Sequence, residues 1–503
     1  MTPIALLKLV NSLSGAEKRY FRLYAAFQEG AKEYVRLFEL MTRSTVPDIR
    51  KLKQAFLKEA PEGTWENTCS YLGKTLLAAL VTAKKEKDVF IELLQRIQEA
   101  KILKERSLEE EALKVIKKVH RKAVQYQLPW VEYYCQRYIL NQYADNNFSE
   151  LSEAALVKLQ MNGKHILKGF HHIHDHYSLY ELLKYRLIHG GKVISEEGRK
   201  KLNDLMLSET VLIASKSKSF TSQKLHLLFQ SFFFTDIGDY TSALKSFYQL
   251  NALLEKNEDL LDKPPVDYLE ALNGIIDSLR ILHNKTEIRY YISKLKKLDR
   301  NTFPEYFRYL VRKTVALQEM AGYLLGEEWE AALHFLKTIP ADIFHHYAMV
   351  DEEKQSALYF YAGLVHFKSR DFKKAHLLIR EVMTQFKLPK QLMISRAIRL
   401  LNIITYYEKG ELLHLEYEIR SYKRYFMQLR LLKTEKLLFR IIALTSVGSK
   451  RLRLMEPAAK KILTELQELT ANRYEQQLLN YFDFTGWMKE QTNNLLQPVI
   501  TGH

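Results

Sequence analysis

A short aromatic–alanine phrase recurs along the second half of this 503-residue chain and limits what it can fold into. It reads Gly238-Asp239-Tyr240-Thr241-Ser242-Ala243-Leu244, with Phe247 beyond. Glu328-Trp329-Glu330-Ala331-Ala332-Leu333 and Asp371-Phe372-Lys373-Lys374-Ala375-His376 repeat it. In each copy the ring precedes an alanine by three positions, so both share one face of a helix that opens just after a turn. The alanine admits a second helix at close range, and the ring fills the space beside it. Wedges of this kind predict stacked helical hairpins, the elements of a solenoid.

Composition agrees with an all-α chain. Gly (18) and Pro (11) are scarce against average usage of about 7% and 5%. No long Ser/Gly/Pro-rich linker interrupts the sequence, and its length implies several packed units or a repeat array. Cys69 and Cys135 are too few for a disulfide framework and read as small buried residues. The opening Met1–Lys8 has no basic n-region, and no stretch approaches the ~20 apolar residues of a membrane span. A cytoplasmic protein without membrane contact is expected. The formal charge of +17 admits a polyanionic partner or simply a lysine-rich solvated surface. It is steepest between Lys387 and Lys461, where 17 basic residues face 6 acidic ones.

Fainter copies extend the pattern. Glu110-Glu111-Ala112-Leu113 and Glu153-Ala154-Ala155-Leu156 lack the ring, while Tyr291 with Leu295 and Leu415 with Ile419 stand where further copies are due. Successive anchors lie roughly 40 to 48 residues apart. The stretch Tyr359–Pro389 resembles a unit of the tetratricopeptide (TPR) superfamily. Tyr359, Ala362, Gly363 and His366 fit its first helix, and Phe372, Ala375 and Ile379 its second. The resemblance covers about residues 224–390. The period exceeds the ~34 residues of a standard unit, which implies longer helices; HEAT-type pairs share it and remain the structural alternative. What the TPR resemblance implies is a right-handed α-solenoid whose first helices line a groove for a peptide or helix. In the best unit that lining would be Phe360, Leu364 and Phe367, with Lys368 at the rim.

The ends read differently. Ser14 and Glu17 form a capping box ahead of an apolar face through Tyr20, Phe21 and Phe27. With helices through Tyr34–Met41, from Val46-Pro47-Asp48 onward, and through Tyr71–Leu80 after the loop 60–64, residues 1–90 make a small helical cap domain. The words Leu13-Ser14 and Glu17-Lys18-Arg19-Tyr20-Phe21 before faint TPR units also look like a bacterial protein family, a resemblance that supplies no activity. Residues 91–457 are the TPR-like solenoid. Residues 458–503 are its C-terminal cap, an amphipathic helix Ala458–Leu479, an aromatic cluster around Tyr481 and Trp487, and a frayed tail.

Two clusters could carry chemistry. His171-His172-Ile173-His174-Asp175-His176 would place His172 and His176 at i and i+4, a two-ligand candidate for zinc. The structural reading is a turn with Asp175 as N-cap of a helix Tyr177–His189, and no metal or other cofactor is expected. On a single helix Lys423, Arg430, Lys433, Lys436 and Arg440 would share a basic face, open to solvent, to an acidic peptide or to nucleic acid. The sequence carries no phosphate-cradling Gly-rich loop, no His-Glu-x-x-His, no nucleophile elbow and no dinucleotide fingerprint. The expectation is a non-enzymatic interaction scaffold that binds a protein or peptide, possibly acidic, in its groove. The alternative is a nucleic-acid-associated regulator using the N-terminal helices or the basic 387–461 face.

Overall fold

The computed structural model describes residues 1–27, 33–43, 49–59, 65–84, 88–149, 151–190, 193, 195–213, 219–344, 352–446 and 452–496. The Val46–Asp48 helix start, the loop 60–64 and the tail from residue 497 lie outside the described residues. Among those described, every regular element is helical and none is a strand. Two compact units, residues 1–168 and 169–503, divide the chain.

The first unit begins with α1 (Pro3–Ser12), α2 (Gly15–Ala26), α3 (Glu33–Arg43), α4 (Ile49–Glu59) and α5 (Trp65–Lys84). Helix α1, absent from the sequence reading, is capped by the Thr2 hydroxyl and buries Leu6, Leu7 and Val10. The Ser14–Glu17 capping box is formed: Ser14 accepts from the Glu17 amide at 3.2 Å, and Glu17 accepts from the Ser14 amide at 2.8 Å. One apolar cluster runs from Leu6 to Ala79 around Phe21, Phe38 and Phe56. A second, from Leu93 to Cys135, joins α6 (Val89–Glu105), α7 (Glu109–Gln125) and α8 (Pro129–Asp145). Helix α9 (Glu153–Gly190) follows, and the division between the units falls within it.

The second unit continues with α10 (Glu196–Lys200), α11 (Asn203–Ile213), α12 (Phe220–Asp236), α13 (Tyr240–Lys256), α14 (Val266–Ile281) and α15 (Ile288–Lys296). Next come α16 (Glu305–Leu325), α17 (Trp329–Thr338), α18 (Glu352–Lys368), α19 (Phe372–Gln385), α20 (Met393–Glu408) and α21 (Leu412–Tyr425). The unit closes with α22 (Lys433–Ser446), α23 (Leu452–Ala471), α24 (Arg473–Leu479) and α25 (Phe484–Leu496). Each helix from α12 to α16 packs on its successor, as does each from α16 to α21. Helices α14, α16, α18 and α20 also pack side by side, each against the next, as one layer.

The wedges sit between helices. Ala243, Ala332 and Ala375 are fully buried. A Cβ on Gly363 of α18 would lie 3.2 Å from Ile379 Cγ1 and 3.6 Å from the Ala375 carbonyl oxygen, so α18 and α19 touch nearly backbone to backbone. Phe247 goes further, pressing its ring into the site where a Gly274 Cβ would stand, 2.2 Å from its Cζ. Ring and missing side chain thus lock α13 onto α14.

A single turn design joins the pairs. Gly238, Glu327, Arg370 and Gly410 all have positive φ, between 59° and 78°. The next amide reaches back six residues, as in Asp239 N to Phe234 O and Asp371 N to His366 O, both 2.9 Å. This is the Schellman closure, which satisfies the last carbonyls of one helix. Asp239 and Asp371 then cap the following helix, accepting from the Ser242 and Lys374 amides at 3.1 and 3.2 Å. Ser107 and Gln127 repeat the design after α6 and α7.

Two boundaries differ from the sequence reading. Residues 171–176 form no turn; Asp175 lies inside continuous α9, facing His171 at 3.8 Å rather than capping a helix. The expected helix Ala458–Leu479 breaks at Asn472, which caps α24 through the Tyr474 amide.

Gly274→Ala is expected to lower the unfolding midpoint, at a cost of about 1–3 kcal/mol of overpacking, and Phe247→Leu in the same chain should restore most of it. Arg370→Gly should raise the midpoint, because an L-residue in the left-handed region costs about 1–2 kcal/mol. Thermal melts followed by circular dichroism check both.

Candidate functional site

The residues assigned to a groove all lie on α18, and the structure buries them. Phe360 is fully buried, and Leu364 and Phe367 nearly so. Helix α18 is apolar around most of its circumference, from Leu358 through Phe367, so it needs cover on both sides. Helix α19 supplies one side. On the other lies the chain's own segment 472–484: Tyr481 meets Phe360 edge-on at 6.1 Å, and Phe482 meets Phe367 at 5.8 Å. Lys368 Nζ sits 5.1 Å from the Phe482 ring and 5.3 Å from Trp329, a cation held between two π faces.

That segment is tied to backbone as well as to rings. The nearly buried Gln477 donates to the carbonyls of Val193 at 2.8 Å and Asp236 at 3.0 Å. Asn480 donates to the Tyr240 hydroxyl at 3.1 Å and accepts on its carbonyl from Arg280 at 3.2 Å. Arg473 pairs with Glu196. Glu475 accepts from the Lys433 and Thr434 amides at 2.8 and 3.0 Å, placing a buried carboxylate on the N-terminus of α22. Beyond it, Trp487 donates to Glu408 at 2.7 Å.

Between this segment and the α14–α16–α18 layer is a cavity of about 280 Å³. Asn273, Asp277 and Arg280 of α14, Lys313 and Thr314 of α16, and Tyr361 of α18 are among its walls. Arg280 is paired with Asp277 at 3.1 Å, and Lys354 with Glu270. Lys313 is different. Its side chain is almost wholly buried, and its Nζ donates to the Gln355 amide oxygen and stands 5.6 Å from the Tyr309 ring. Among the described residues no carboxylate pairs with it, and burial pushes its amine down to about 7.

The five basic residues occupy two helices, because the chain leaves helix after Tyr425 and re-enters at Lys433. Lys423 stands over the Phe439 ring at 5.5 Å, and Arg430 lies in the connection, its carbonyl accepting from Arg396. Lys433, Lys436 and Arg440 do share a surface hollow, opposite Glu465 and Glu468, with Arg440 paired to Glu465 at 3.3 Å. Beneath them is an ion pair that sequence reasoning missed. Arg396 and Glu435, both buried, meet at 2.6 Å, and Glu435 also takes the Tyr422 hydroxyl and the Leu432 amide.

His172 and His176 do share a face of α9, their rings 4.7 Å apart. The structure adds Glu209 of α11, whose Oε1 lies 2.6 Å from His226 Nδ1 and 3.5 Å from His176 Nδ1. Burial pushes the Glu209 carboxyl up, but His176 and His226 more than offset this and hold it below its ordinary range. Among the described residues no three His, Cys, Asp or Glu side chains form a metal-binding group. Nor is any helix among them long and apolar enough to cross a membrane.

No family model, curated protein or solved structure matches this chain.

Lys313 makes stability depend on pH. Unfolded, the amine takes up its proton near 10.5; folded, near 7. Between those values the unfolded chain binds more protons, so stability should rise with pH from about 7 to about 10. Lys313→Met is expected to flatten that slope and to raise the unfolding midpoint at pH 7. Melts of both proteins across this range measure it.

Proposed function

We propose that the second unit is a non-enzymatic, right-handed solenoid of TPR-like hairpins whose α14–α16–α18–α20 layer holds a peptide or helix. The observation that carries this reading is the seating of segment 472–484 along that layer. A short helix followed by an extended aromatic stretch is bound there through rings and through side-chain bonds to backbone, the means by which a groove receives a peptide. The partner would be a segment of like chemistry: aromatic rings, amide side chains, and an acidic group for the α22 N-terminus. Because the layer is already packed, little ordering entropy would be lost by the receptor.

A labelled synthetic peptide of residues 472–488 tests this. In full-length protein carrying Tyr481→Ala and Phe482→Ala, which loosen the resident segment, the peptide should bind saturably, and in unmodified protein much more weakly. Failure to bind folded variant protein contradicts the proposal. The same anisotropy assay with single-stranded RNA and duplex DNA addresses the alternative of a nucleic-acid-associated regulator. Phosphate-dominated binding would fall by orders of magnitude between about 50 and 200 mM salt, and no such binding is expected.

A further inference from the structure

The cavity beside Lys313 has an unbalanced charge. Of its basic walls, Arg280 is matched by Asp277 and Lys354 by Glu270. Glu353 also lines it, and Tyr361 and Tyr481 add phenols from α18 and the C-terminal segment. Lys313 alone among these cations has a neutral amide, Gln355, in place of a counter-charge, and that amide is anchored to the Phe344 carbonyl at 3.1 Å. A buried amine held in place but left without an anion forms one half of an ion pair.

We propose that this cavity is a binding site for a small organic monoacid, whose carboxylate pairs with the Lys313 ammonium. The volume, about 280 Å³, suits a ligand at the small end of the range for pockets. Phe232, Phe247, Leu310 and Leu317 offer an apolar bed for its body, and Asn273 and Thr314 offer polar contacts. One acid group suffices, since the other cations are already paired. The site is separate from the peptide-binding reading above and stands or falls without it.

The proton balance is explicit. Above pH 7 the empty site holds Lys313 as the neutral amine; the carboxylate enters, a proton from solvent joins Nζ, and the ammonium–carboxylate pair forms. Binding must therefore take up a proton.

Calorimetric titration of benzoate and of acetate into full-length protein at pH 8, in buffers of different ionisation enthalpy, tests this. Benzoate should bind at one site with uptake of about one proton, and its affinity should fall about tenfold per pH unit above that. Lys313→Met should abolish both binding and uptake. Absence of binding by both acids, binding without proton uptake, or equal binding by the folded Lys313→Met protein would overturn the proposal. Should that variant not fold, reductive methylation of unmodified protein with formaldehyde and cyanoborohydride decides. Labelling of Lys313 should be suppressed by benzoate, and labelling indifferent to saturating benzoate would refute the site.

Discussion

The close approach of neighbouring helices at positions with little or no side chain is the constraint on which the second unit depends. Where Ala375 faces Gly363, two helices meet almost backbone to backbone. Where Gly274 faces Phe247, a ring takes the volume a side chain would fill. Packing density leaves no slack at such points, so each hairpin's angle is set by its small residue and the ring beside it. The Schellman turns set the other parameter, the direction in which the chain leaves one helix and enters the next. With both fixed, helices two apart in sequence come side by side, and the α14–α16–α18–α20 layer follows.

A layer of this kind presents an apolar surface that must be covered. Helices α18 and α20 are buried over most of their residues, more than their outer partners alone could cover. The C-terminal segment supplies the remainder, and its chemistry differs from that of the hairpins. Gln477, Asn480 and Glu475 bond to backbone groups of α22, of the α12–α13 turn and of Val193, while Tyr481 and Phe482 fill the spaces between rings. The same surface therefore offers both a peptide-like seat and, beside it, the polar cavity around Lys313.

What the sequence made legible follows physical distinctiveness. The ring-and-alanine wedges were readable because few other arrangements need an aromatic three residues before a buried alanine. The turns after α6 and α7 were not, although they share the design, because their left-handed residues are Ser107 and Gln127 rather than glycine. The groove residues were placed on the right helix, but only coordinates could bring the C-terminal segment across them, since Tyr481 lies more than a hundred residues from Phe360. The basic cluster divided over two helices because the 426–432 stretch leaves helix, where Glu435 accepts from the Leu432 amide. Lys313 gave no signal at all: a lysine within an amphipathic helix reads as solvated, and its burial comes from α18 and the segment opposite.

Hydrogen exchange over residues 472–484 tests most directly whether that segment belongs to the layer it covers. The amides of α24 and of Tyr481 and Phe482 are expected to stay protected as long as those of α18, and to be released together with them. Exchange of this segment at the rate of an unfolded chain, while α18 remains protected, would contradict it.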